Sequence, residues 1–488
     1  MPHAQKACFQ NLPMELHWNI LENVSDVRAL ASTALTCRAL YSAFKAKDAD
    51  LPTDVLINTI GYSVLPEAVF AYQCSPPFLS VPVHSTIYKH NWLDPDQTRA
   101  AHNYAKEFIR HIKQRNVPTF IKWGMDEALL LSDFHQDVVV PLTQRFIRSA
   151  AAEPISLPGK DLDESLQERP ATRLEKERIA RTLYRFEICR KLFGRYVDGI
   201  DHMTNDDAPV PHSQCFFKRL APWEIVQLAT IHDFLANQVI PALGDIAEHD
   251  IEWAAGAIDD YTPWSRRIDH PAVQHLLTLG LQEILKIASC DSFKSRLRVL
   301  GRGATITIEN NLFLERALRM SDDFDPARNG RRLLHGRPYH DDGDAGAQVM
   351  WRAGLSDLRY PFYDARDWLD RRWGHVVWDR ARCEELGVLG RPWSRAWAVE
   401  RGIPDAVFER SLRQRVKLWD EGGRGYWSEH DRSRVVYPEG RHKLPVATAS
   451  TAEDRTESWV MAIPDESESG LITRVSWYSR LSRKLLGR

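Results

Sequence analysis

The sequence predicts a mainly α-helical chain, and three observations carry that prediction. Apolar residues recur at a 3.6-residue spacing in most segments, and prolines repeatedly stand where a first helical turn begins. Strand-like runs are confined to ATITI at 304–308 and HVVW at 375–378.

The elements follow in order. Residues 13–45 carry three short helical patterns, and Pro52 and Pro66 are first-turn prolines of two more. Asp94-Pro95 opens another, with Tyr104, Phe108, Ile109 and Ile112 on one stripe. The stretch from Asp133 to Ala151 reads as helix that Pro141 should kink. SLPGKDLDESLQERPATR (156–173) is polar and broken by Pro and Gly, the composition of a long loop. From Thr172 to Val197 the period is clearest: Leu174, Ile179, Leu183, Phe186, Phe193 and Tyr196 form one stripe with Arg, Lys and Glu between them. Further helices are expected after Pro222 and over 271–289, 309–320 and 403–419. From Glu421 the chain turns polar, and the period is lost through PVATASTAEDRTES until a basic end with Tyr478, Leu481 and Leu485 at helical spacing. The division is therefore a three-helix unit at 9–50, a large irregular helical body at 51–420 with few short strands, and a loosely packed tail at 421–488.

Composition narrows the function classes. Of 488 residues, 43% are apolar and 27% charged, enough to build a sizeable core. Lys plus Arg total 64 against 66 Asp plus Glu, a net charge of −2 that leaves no global basic footprint for nucleic acid. No run approaches the length of a membrane span, and no basic-then-apolar leader opens the chain, so a cytoplasmic or nuclear protein is expected. The seven cysteines are odd in number and scattered with no CxxC pair, which fits reduced thiols and argues against a thiolate zinc site. Ten of the 16 tryptophans lie from Trp351 onward, so the last third needs a bulky aromatic core or contact surface.

The most informative segment is Phe9 to Phe44, FQNLPMELHWNILENVSDVRALASTALTCRALYSAF. Pro13 can start its first helix and Asp26 can cap the second. The second helix offers Val27, Leu30, Ala31 and Ala34 as one stripe, and the third offers Cys37, Leu40, Tyr41 and Phe44. The first helix is apolar twice. At 100° per residue, Met14, Trp18 and Leu21 share one side, while Leu16, Ile20 and Val24 lie opposite. Such a small unit covers one face with its own partners, and the other must meet the rest of the chain or a second protein.

These residues resemble an F-box. LPMEL (12–16), then Ile20-Leu21, Val24, Asp26-Val27, Leu30 and Leu35-Thr36-Cys37-Arg38-Ala39-Leu40-Tyr41 keep the family's order and spacing across three helices. The resemblance implies a module that docks onto the Skp-type adaptor of a cullin–RING ubiquitin ligase. Carried onto this sequence, it implies adaptor contacts by Leu12, Pro13, Leu16, Ile20, Leu21, Val24 and Leu30. The stretches LPEAVFAY (65–72), APWEIVQLATIHDFL (221–235) and RRWGHVVWDRARCEELG (371–387) are similar to parts of large fungal F-box-type proteins, and no residue role is carried over from them. The expected function is that of a non-catalytic substrate receptor, partnered by the adaptor, through it by a cullin, and by an unidentified protein substrate, with no nucleic acid or membrane. A helical scaffold using its F-box outside a ligase is the alternative.

Other signals are weaker. HGRPYHDDGDAG (335–346) gathers His335, His340, Asp341, Asp342 and Asp344, yet matches neither the calcium-loop register nor His-Glu-x-x-His, so it reads as a solvated loop. An enzyme using that loop is the third reading. GRGAT (301–305) lacks phosphate-loop spacing and reads as a turn. Trp-Asp at 378–379 and 419–420 has helical flanks, unlike a propeller blade. The basic end, 474–488, has too few cations to argue for a membrane surface. No catalytic residue, metal site or cofactor is assigned.

Overall fold

A computed structural model describes residues 9–74, 123–152, 169–193, 220–256, 268, 270–300, 314, 318, 342–354, 368–389 and 405–438. The stripe after Pro95, the loop at 156–168, the glycine turn and strand expected at 301–308, residues 335–341 and the tail from 439 lie outside them. Of the helix expected over 309–320, only Leu314 and Leu318 are described, both helical and buried. The described residues are mainly α, 73% helical with two short strands.

A 3-10 turn at Phe9–Asn11 leads into α1 (Met14–Glu22), α2 (Val27–Ala34) and α3 (Arg38–Ala46). The chain continues through α4 (Asp50–Ile60) and α5 (Leu65–Gln73), whose apolar composition fits their place in the interior. Next comes α6 (Met125–Phe134), opened by Gly124, whose amide donates to Glu127 Oε2 at 3.2 Å. A π-turn, His135–Val139, separates it from α7 (Val140–Ala151). Pro141 explains that turn. It has no N–H for the Asp137 carbonyl and its ring crowds that carbonyl, so the backbone widens and the Val140 amide donates to His135 O instead.

Two long helices hold the body together: α8 (Arg173–Phe193) and α9 (Pro222–His249). Pro222 starts α9, and Glu224 accepts the Ala221 amide at 2.8 Å as an N-terminal lock. Pro241 inside α9 faces solvent, away from the packed side. Short helices surround α9: α10 (Ile251–Gly256), α11 (Pro271–Thr278), α12 (Leu281–Ala288), α13 (Phe293–Leu300), α14 (Gly346–Gly354), α15 (Trp368–Trp373), α16 (Arg380–Glu385) and α17 (Asp405–Asp420). All but α16 pack directly on α9, while α5, α7 and the π-turn pack on α8. One continuous apolar cluster runs from Leu21 to Val388, and a small second one joins Ala254, Phe408 and Leu412.

Several expectations are corrected. The helix foreseen over 271–289 is two helices, because Gly280 at φ +96 breaks it, and a Cβ there would meet Arg190 Nε at 2.8 Å. HVVW is no strand. Gly374 at φ +77 turns the chain so that the Val377 amide donates to Gly374 O at 2.8 Å. Val376 and Val377 are both fully buried, and their carbonyls accept from Gln227 and Arg178 side chains, where a strand would need a neighbouring backbone.

Beyond its first turn, α8 takes its charged residues inside. Residues 178–189 are buried without interruption, arginines included. Past Glu421, the chain first forms β1 (Arg424–Gly425) and β2 (Val435–Val436), an antiparallel pair whose first strand packs against α10. Tyr426 there stacks on His249 and meets Phe293 edge-on, so aromatic contacts hold a segment whose sequence reads as polar.

Candidate docking surface

The first three helices are set by local chemistry. Pro13 occupies the N-cap of α1, and its carbonyl accepts the Leu16 amide at 3.0 Å. Asp26 caps α2 by accepting the Ala29 amide at 2.8 Å, and that bond holds its carboxyl below the usual range. Val27, Leu30 and Ala34 of α2 and Leu40, Ala43 and Phe44 of α3 close over the buried side of α1. Ala43 takes the place expected for Tyr41, which is 45% exposed. Trp18 fixes α1 against α3 by donating Nε1–H to Ala43 O at 2.9 Å, with the Lys47 ammonium 4.3 Å above its ring.

The two faces of α1 then separate. Leu21 is fully buried, Trp18 and Val24 are half-buried, and His17 is buried with its Nε2 3.1 Å from Phe9 O. Sequence periodicity missed His17, whose polar ring gives no apolar signal, and it misplaced Met14, which is exposed. Outward lie Pro13, Leu16 (45% exposed) and Ile20 (38%), a stripe at i, i+3, i+7. Leu12 beside it is half-buried.

The seven residues expected to make contacts thus divide. Pro13, Leu16 and Ile20 form the exposed stripe, with Leu12 and Val24 at its margins. Leu21 and Leu30 are corrected: both are fully buried in the core, so their side chains hold the unit together and are not offered to a partner. Half of the twelve large apolar residues exposed among the described residues lie between Phe9 and Tyr41, so exposure is concentrated in this unit.

The remaining chemistry-bearing groups are inside. Asp342 and Asp344 do not form a solvated loop. Both pair with Arg178, Asp342 Oδ2 at 2.6 Å and Asp344 Oδ1 at 2.9 Å, while Asp379 Oδ1 takes Nη1 at 2.8 Å. Burial pushes the Asp342 carboxyl up, but hydrogen bonds and charge from Arg178 outweigh it and hold the group below its ordinary range. Two helical turns on, Arg185 bridges Glu67 and Glu224 at 3.0 and 2.8 Å, all three buried. Glu175 closes the ladder against Arg382 at 2.8 Å.

A His232–Asp233–Arg371 chain, with Nδ1 and Nε 2.9 and 2.5 Å from the carboxylate, looks catalytic by composition. All three residues are buried, and Gln274 occupies His232 Nε2, so the group knits α9 to α11 and α15. Among the described residues, no cluster of His, Cys, Asp and Glu has the arrangement to hold a metal ion, and no single helix is long and apolar enough to cross a membrane. The chain matches no protein-family model, no curated protein and no solved structure.

Proposed function

We propose that this chain is a non-catalytic substrate receptor of a Skp–cullin–F-box-type ubiquitin ligase. Its N-terminal unit docks the adaptor, and the helical body presents an unidentified protein substrate, in the cytoplasm or nucleus. The carrying observation is the exposed Pro13–Leu16–Ile20 stripe, on a helix whose other face is already buried and within residues that resemble an F-box. Apolar residues at i, i+3 and i+7 suit insertion of one helix face into a partner's groove. A receptor of this kind contributes proximity: it raises the effective concentration of substrate at a ubiquitin-charged enzyme without supplying a nucleophile or acid.

Calorimetric titration of the full chain with a purified Skp-type adaptor tests the reading. Binding is expected, and replacing both Leu16 and Ile20 by Glu should weaken it by about 30- to 1000-fold, the usual cost of losing central anchors. The thermal midpoint should shift far less than the affinity, because neither side chain belongs to the buried core. Absence of adaptor binding by the unaltered chain, or full binding by the double variant, overturns the proposal. Co-purification of adaptor without any cullin would replace the ligase with a scaffold.

A further inference from the structure

We infer that the three-helix unit is locked to the body by a charge clamp on the π-turn, which holds the docking stripe in one orientation. The functional meaning of that orientation rests on the docking reading above, whereas the clamp itself does not. Arg28, on the exposed side of α2, reaches two carboxylates of the next layer. Its Nε lies 2.6 Å from Asp133 Oδ1, and its Nη2 lies 2.5 Å from Asp137 Oδ2. Asp133 lies in the last turn of α6 and Asp137 belongs to the π-turn.

The same five-residue turn reaches the other way. His135 is buried, with its Nδ1 3.1 Å from the hydroxyl of Tyr184 on α8 and the two rings stacked. Val138 and Val139 are buried beside it. One short turn therefore grips the docking unit through Asp137 and the central helix through His135. Pro141 creates this turn, so the coupling is written into the sequence at a position that fold reasoning alone treats as a kink.

The clamp matters because it is a charged contact of the unit with α6, beside the hydrogen bonds that Asn58 and Thr59 of α4 give to Glu22 O and Ser25 O. Leu21, Val27 and Leu30 share one apolar cluster with Val55 and Leu56, and apolar burial tolerates a helix rolling on its neighbour. Asn58 donates to Glu22 O at 3.1 Å, which ties α1 to α4 but not to α6. Two carboxylates around one planar guanidinium favour one roll angle of α2 on α6 by a modest amount, as exposed ion pairs do. The Arg28, Asp133 and Asp137 side chains are 54%, 38% and 56% exposed, so salt screens the clamp and it can be released without unfolding the core.

Spin labels at exposed Ser42 and Arg298, placed in the free full chain, read the orientation directly. One narrow distance distribution is expected for the unaltered clamp, broadening at high salt. Arg28→Glu sets three carboxylates together and should broaden the distribution, with about 3- to 10-fold faster amide exchange in α2 and α3. Adding Asp133→Arg to that variant should narrow it again. Arg28→Gln, which removes charge without adding repulsion, serves if Arg28→Glu fails to fold. A distribution as narrow in the Arg28 variant as in the parent, or no recovery in the double variant, overturns the clamp. If the distances respond as stated while the adaptor does not bind, the docking reading falls and the clamp stands.

Discussion

Helices α1 and α8 solve opposite problems with the same alphabet. On α1, two leucine-type side chains face water while a histidine is buried beneath them. On α8, three arginines are buried in a stretch with no exposed residue. Leaving apolar surface in water is unfavourable in proportion to its area, and burying charge costs several kcal/mol per ion unless partners surround it. The difference lies in the partners. Arg178 finds Asp342, Asp344, Asp379 and the Val377 carbonyl, whereas Leu16 and Ile20 are only partly covered by the described chain. The interior meets its charges with its own carboxylates, whereas the stripe on α1 stays partly in water.

The sharpest way to break this comparison is to remove one arginine. Arg185→Met leaves Glu67 and Glu224 buried without their cation and should cost about 3–5 kcal/mol in chemical denaturation. If Arg185→Met unfolds at the parental denaturant midpoint, the buried ladder is not what holds α5, α8 and α9 together.

How much of this was legible divides along the same line. The caps at Pro13 and Asp26, the stripe of α2 and Leu21 of α1 depend on residues within one or two turns, so periodicity finds them, whereas Tyr41 of α3 and Met14 of α1 lie outside the buried faces expected for them. The ladder on α8 depends on partners more than a hundred residues away: Glu67 lies 118 positions from Arg185, and Asp379 lies 201 from Arg178. A charge between apolar residues looks the same in sequence whether water or a distant carboxylate meets it. Asp342 and Asp344 are visible in the sequence as part of an acidic cluster, but their partner is the protein's own Arg178. HVVW failed for a related reason, because side chains of Gln227 and Arg178 took the carbonyls that a strand would have needed.

Within α1 the comparison can be sharpened by truncating one leucine on each face. Leu21→Ala removes a fully buried side chain and should cost about 2–5 kcal/mol. Leu16→Ala, four-ninths exposed at 45%, should stay within about 0.5 kcal/mol of the parent in the same denaturation series. Equal losses would mean that both faces are covered in solution and that no docking stripe exists.

A smaller loss than that of Leu21→Ala belongs to the cap of α2, and its pH dependence has a fixed sign. The Ala29 amide holds the Asp26 carboxyl below its ordinary value of 3.8 in the folded chain, while the unfolded chain titrates near that value. A lowered folded value means the unfolded state binds the proton more tightly. The cap's contribution is therefore complete above 3.8 and disappears as pH falls through the folded value. Asp26→Ala, which removes the acceptor, should cost about 0.5–2 kcal/mol at neutral pH. Asp26→Asn keeps an acceptor for the Ala29 amide and should cost less, but its difference from the parent should shrink as the parent is acidified below 3.8. Amide exchange across residues 27–34 at a series of acidic pH values follows the cap locally, free of the buried carboxylates that titrate in the body. A gap between parent and Asp26→Asn that widens in acid would show that Asp26 acts through something other than its bond to Ala29.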